Sequence, residues 1–86
     1  MNTLDAITET IERDGSSMRA ISERMGKSSN YLASTIEQAK RKAGDAHAGT
    51  LAALAKACGH ELAIVPRADL PPSALVIDPP EGNAGD

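Results

Sequence analysis

Phenylalanine and tryptophan are missing from this 86-residue sequence, and Tyr31 is its only aromatic residue. Large aliphatics are scarce too: Leu, Ile and Val together number 15, and alanine alone supplies another 15. A Leu, Ile, Val and Phe content below about 20% marks disordered chains when the net charge is high. Here the net charge is only −3. The composition therefore describes one folded domain with a thin core, helical because of its alanine and helped by a partner chain. A single cysteine, Cys58, cannot form an internal disulfide, which fits a reducing, cytoplasmic compartment. No apolar run approaches the roughly 18 residues of a membrane span. The opening Met1-Asn2-Thr3-Leu4-Asp5 has neither the basic region nor the apolar stretch of a signal peptide. With few histidines and no clustered carboxylates, the chain is expected to be no enzyme and to hold no metal or cofactor.

What is present is helical spacing. Leu4, Ile7 and Ile11 fall at i, i+3 and i+7 on a first helix from about Thr3 to Asp14, with Gly15 as its stop. Ser16 or Ser17 can cap a second helix, which carries Met18, Ile21 and Met25 at the same spacing and stops at Gly26. Ser28 or Ser29 caps a third, whose buried side is Leu32 and Ile36. Asp45 to Gly49 is ambiguous. A fourth helix starts at about Thr50, with Leu51, Leu54, Ala55 and Cys58 on one face and Gly59 as terminator.

Beyond Gly59 the pattern changes. Glu61 to Val65 and Ala74 to Ile77 are short apolar runs with β-branched residues, each bounded by proline and joined by a stretch containing Pro71-Pro72. They read as two strands, with Pro66 and Pro79 at edge or terminal positions. From Pro79 to Asp86 the chain is polar and is expected to be disordered. The expected fold is mostly α: a small bundle of four to five helices, followed by a short C-terminal β-hairpin or dimerisation strands. Its parts are a helix-turn-helix unit over 1–60, a strand tail over 61–78 and a disordered end over 79–86.

Residues 17–36 carry the most information. Two helices that cross near a right angle approach most closely in the middle of the first, where Ser22 supplies a small side chain. Four residues later the tight turn needs a positive φ, and Gly26 provides it. Ile21 and Met25 before the turn, with Leu32 and Ile36 after it, pin both helices to the bundle. Ser28, Ser29 and Asn30 then open the next helix with three short polar side chains. A helix-turn-helix presents that position to base edges in the major groove.

The four-helix order, the turn at Gly26, the Lys27-Ser28-Ser29-Asn30-Tyr31-Leu32 opening and the segment from Leu51 to Leu62 resemble the Cro/repressor (Xre-type) helix-turn-helix family of phages and bacteria. The resemblance covers roughly residues 3 to 65 and rests on combined spacing, since no single residue is diagnostic. It implies a DNA-binding transcriptional regulator, most often a repressor. Two departures stand out. Lys27 occupies a place where an aliphatic residue commonly follows the glycine. The connection from Gln38 to Ala48 is longer than usual, so either the third helix runs on by about a turn or a basic loop projects there.

Charge supports this locally. Residues 18–42 carry a net charge of +4 and residues 44–86 one of −4. Phosphates sense the field within about 10 Å, so an acidic chain can still bind DNA.

The candidate base contacts are Ser28, Ser29, Asn30, Ala33, Ser34 and Glu37. The first three have the rival role of a helix cap, Ala33 that of filler, and Glu37 that of a solvated residue, although a glutamate can accept from cytosine. The candidate phosphate contacts are Arg19, Lys27, Tyr31, Lys40, Arg41 and Lys42. Tyr31 is equally suited to packing. Arg24 flanks the motif as a weaker candidate than Arg19. Cys58 reads as a small core residue, and with His60 alone beside it a zinc site is not expected.

The expected function is sequence-specific binding of double-stranded DNA by a homodimer, with the helix over 28–38 in the major groove. Leu62, Ile64, Val65, Leu75, Val76 and Ile77 form strands that pair within or between chains. The alternative is a protein-binding adaptor or antitoxin-like module whose C-terminal tail engages a different protein.

Overall fold

The computed structural model describes residues 1–79. It contains four α-helices: α1 (Thr3–Asp14), α2 (Met18–Arg24), α3 (Tyr31–Arg41) and α4 (Ala48–Ala57), with a short 3-10 turn at Arg67–Asp69. Asn2 starts α1 with a reciprocal cap. Its side chain accepts from the Asp5 amide at 2.8 Å, and the Asp5 carboxylate accepts from the Asn2 amide at 3.2 Å. Ser17 caps α2 by accepting from the Ala20 amide.

The core lies where α1 and α2 pack against α3 and α4. Ile7, Ile21, Leu32 and Leu54 are fully buried there, beside Ala6, Leu51 and Cys58. Ile11, Met25, Tyr31 and Ile36 cover the edges of this cluster. At about 1.5–3 kcal/mol for each large side chain buried, so small a set makes a modest hydrophobic contribution. Met18, which its spacing puts on the buried face of α2, is 39% exposed.

α2, α3 and α4 end in the same way. In each, the amide two residues past the cap reaches back to the third-last carbonyl: Lys27 to Ser22 at 3.0 Å, Gly44 to Ala39 at 2.8 Å and His60 to Ala55 at 2.8 Å. This ending needs a left-handed residue after the cap. Gly26 and Gly59 occupy it in α2 and α4, whereas α3 uses Ala43 at φ 57°. The turn after α3 is then joined to the start of α1. Leu4 donates its amide to the Gly44 carbonyl at 3.0 Å, and the Thr3 hydroxyl accepts from the Ala46 amide at 2.6 Å. A side chain at Gly44 would collide with the carboxamide of the Asn2 side chain.

The expected C-terminal hairpin is absent: no strand forms among the described residues. Between the two runs lie the 3-10 turn after Pro66 and a second turn in which the Pro71 carbonyl accepts from the Ala74 amide at 3.0 Å. The second apolar run is tied to both ends of α1. Arg13 donates to the Ser73 carbonyl at 2.9 Å, and the Asp78 amide donates to the Met1 carbonyl at 2.8 Å. Leu75 is half-buried there, while Val76 and Ile77 remain exposed. The first run, Glu61 to Val65, is wholly exposed. Of the segment expected to be disordered, residues 80–86 lie outside the described residues. No helix among those described is long and apolar enough to cross a membrane.

Candidate nucleic-acid interface

The α2–turn–α3 unit is held together by Ser22. This fully buried residue sits where the helices cross. Its hydroxyl donates to the Met18 carbonyl at 2.7 Å and accepts from the Leu32 amide at 3.1 Å. A small side chain here therefore permits the close approach and also satisfies one of the free amides at the start of α3.

That arrangement explains a correction. α3 begins at Tyr31, three residues later than the 28–38 range expected from sequence, and neither Ser28 nor Ser29 is its cap. Ser28 and its neighbours form a turn in which the Tyr31 amide donates to the Ser28 carbonyl at 3.1 Å. The Ser28 hydroxyl donates to the Asn30 side-chain oxygen at 2.9 Å. Asn30 is the cap position but makes no side-chain capping bond. At the other end, α3 runs through Arg41, so the long connection is resolved in favour of an extended helix.

Ser28, Asn30, Ala33, Ser34 and Glu37 are exposed, and Ser29 is half-buried. Asn30, Ser34, Glu37 and Arg41 fall at i, i+4, i+7 and i+11, one solvent-facing stripe opposite the buried Leu32 and Ala39. Gln38, also exposed, was not singled out from sequence, although its position four residues after Ser34 and four before Lys42 is a readable signal. Tyr31, Ser34, Gln38, Lys42, His47 and Thr50 line a groove of about 160 Å³ along this side of α3.

The basic candidates surround that helix in the sequence. Arg19 is exposed in the first turn of α2, where a cation opposes the helix dipole. Lys27 lies over the Tyr31 ring, 5.4 Å from its centre. Tyr31 is half-buried against the core, which gives it a packing role. Lys40 and Arg41 occupy the last turn of α3 and Lys42 its cap, where positive charge meets the negative end of the dipole. Lys40 is 3.4 Å from Glu37, and the other four cations form no ion pair among the described residues.

Arg24 has a different occupation. Its guanidinium donates to both Asp14 oxygens at 3.2 and 3.3 Å, to the Ser16 hydroxyl at 3.0 Å and to the Ala57 carbonyl at 2.9 Å. It thereby ties the C-terminal ends of α1, α2 and α4 together. The guanidinium, with Ser16 adding a second bond, holds the Asp14 carboxyl at about 2 against its ordinary 3.8. Burial, with Asp14 nearby, pushes the Cys58 thiol up, so it stays a protonated packing group. Comparison with protein-family models, curated proteins and solved structures returns no match.

Proposed function

We propose that this chain is a sequence-specific DNA-binding transcriptional regulator, with α3 as the helix that enters the major groove and two copies acting together. The supporting observation is the Ser22-pinned crossing, which leaves the polar start and one whole side of α3 open to solvent. An eleven-residue helix is about 16 Å long, and a major groove about 12 Å wide admits a helix. Asn30, Ser34 and Glu37, with Ser28, Ser29 and Ala33, would face the bases. Arg19, Lys27, Lys40, Arg41 and Lys42 would neutralise flanking phosphates, and the Tyr31 hydroxyl would join them. Repression is the mode the family resemblance implies.

Dimerisation would offset the modest charge of one protomer. Two linked protomers would read half-sites about 34 Å apart, one turn of duplex, and the second contact is then strengthened by its high effective concentration. Selection from random duplex across a salt series tests the reading. The expected result is one enriched site, with affinity falling as salt rises. Ser29→Ala with Asn30→Ala should change the preferred site, whereas Lys40→Ala and Arg41→Ala should weaken every duplex alike. Binding that ignores both sequence and salt would overturn it.

One observation favours a second reading, a protein-binding adaptor or antitoxin-like module. Leu62, Ile64, Val65 and Val76 are exposed in the tail of the single chain. Co-purification of a different protein in fixed ratio, lost on truncation after Pro66, would support that reading over the first.

A further inference from the structure

The segment from Glu61 to Pro66 is the part of the molecule with the most unmet potential. It runs without turn or bend between the end of α4 and the 3-10 turn. Residues 61–65 take part in no backbone hydrogen bond among those of the described residues. Leu62 is 44% exposed and Ile64 fully so. A segment without turn or bend whose amides and carbonyls are unpaired is a template to which another strand can add.

We propose that this segment pairs with the same segment of a second copy, antiparallel, with Ile64 facing its counterpart on the two-fold axis. This deepens the dimeric part of the proposed function and rests on it. The register comes from charge and from proline. With Ile64 on the axis, Glu61 of each copy stands opposite Arg67 of the other, so two reciprocal ion pairs close the ends. Leu62, Ile64 and Pro66 then share one face, and Glu61, Ala63, Val65 and Arg67 share the other. Moving the axis to Val65 would need Ala68 and Asp69 as strand residues, and they lie in the 3-10 turn. Moving it to Ala63 sets Glu61 against Val65 and leaves Arg67 beyond the ribbon.

Proline fixes the hydrogen-bonding phase. Pro66 has no amide proton and must lie at a non-hydrogen-bonded position. Since it stands opposite Leu62, the Ile64 pair is also non-hydrogen-bonded. Ala63 and Val65 then exchange amide-to-carbonyl bonds across the axis, and the ladder ends before Arg67, whose carbonyl accepts from the Leu70 amide. Two-stranded ribbons are marginal alone. Association is therefore weak without DNA, with a Kd above about 1 µM, and tightens when both protomers share a duplex.

A non-hydrogen-bonded pair has its Cα atoms about 4.5 Å apart, within disulfide range. In full-length protein carrying Cys58→Ala, Ile64→Cys should give a covalent dimer under mild oxidation. Ala63→Cys and Val65→Cys, which do not face their own copies, should give little. By sedimentation, Glu61→Arg and Arg67→Glu should each weaken self-association about tenfold or more, and the double variant should restore it. A mixture of the two single variants should form mixed dimers. A dimer that ignores the charge reversals and does not cross-link through Ile64→Cys overturns this register but leaves the dimeric reading standing. A protein that stays monomeric at every concentration and on its selected duplex, or whose tail associates only with another protein, overturns both.

Discussion

The helical body, residues 2–58, and the tail that follows it treat the polar backbone in opposite ways. In the body, helix ends are closed by hydrogen bonds within it: the Asn2–Asp5 reciprocal cap, the Ser22 hydroxyl at the start of α3, the Thr3 clasp on the turn after α3, and the shared ending of three helices. No buried side-chain nitrogen or oxygen among the described residues lacks a partner. In the tail, residues 61–65 leave their amides and carbonyls to solvent and expose their largest side chains. The contrast indicates how so small a core can suffice. Polar stitching at helix ends supplements apolar burial in the body, and in the tail Leu62, Ile64, Val65 and Val76 stay exposed.

The largest test of that division compares two isoleucines. Ile21→Ala removes a fully buried side chain and should cost about 2–5 kcal/mol in urea unfolding, enough to threaten folding of a small domain. Ile64→Ala alters a fully exposed one and should leave the dilute protein within about 0.5 kcal/mol of wild type. A large loss from Ile64→Ala in dilute, monomeric protein would mean that the tail belongs to the body after all.

Ser22 comes next. Ser22→Ala keeps the helices close but strands the buried Leu32 amide, and should cost about 1–3 kcal/mol. Ser22→Val also forces the helices apart and should cost more. If both variants matched wild type, the polar stitch would be dispensable and the comparison would weaken.

These two residues also mark how far the sequence could be read. Ile21 and its companions Ile7, Leu32, Leu51, Leu54 and Cys58 were legible from helical spacing, because one face of each helix meets one core. Gly26 was legible because its backbone requirement is local. Ser22 was legible as a small residue at a crossing, but not as the cap of a helix ten residues away. For that reason Ser28 and Ser29 were expected to begin α3. Arg24 reads from sequence as a weaker phosphate candidate than Arg19, since its partners Asp14 and Ala57 come from other helices and no local pattern points to them. Ala43 gave no signal, because a left-handed residue without glycine has no mark in composition. The tail runs read as strand-like, and no strand forms there among the described residues. In the candidate site the exposed stripe of α3 could be read by its period, but the late start of the helix could not.

Ala43 offers a smaller effect of opposite sign. Its left-handed backbone costs roughly 1 kcal/mol in a residue with a β-carbon, and the greater freedom of glycine in the unfolded chain offsets part of that relief. Ala43→Gly should therefore stabilise the body by about 0.5 kcal/mol or less, seen as a slightly higher denaturant midpoint with unchanged slope. A destabilising result would show that the methyl group makes a contact worth more than the strain.

The smallest expected effect is an acid limb on stability, and it isolates the Arg24 clasp. Asp14 keeps its charge in the folded protein down to about pH 2, held by Arg24, while in the unfolded chain it takes up a proton near 3.8. The unfolded state therefore binds the proton first as pH falls. The contribution of the pair is complete above about pH 4 and is lost between there and pH 2. The Arg24 side chain is 42% exposed, so solvent and salt screen the pair and the limb should be shallow. Urea midpoints measured over that range should fall more steeply for wild type than for Asp14→Asn, and the two should converge at the acid end. Parallel curves would mean that Arg24 is held by the Ala57 carbonyl without help from Asp14, making the junction of helix ends independent of charge.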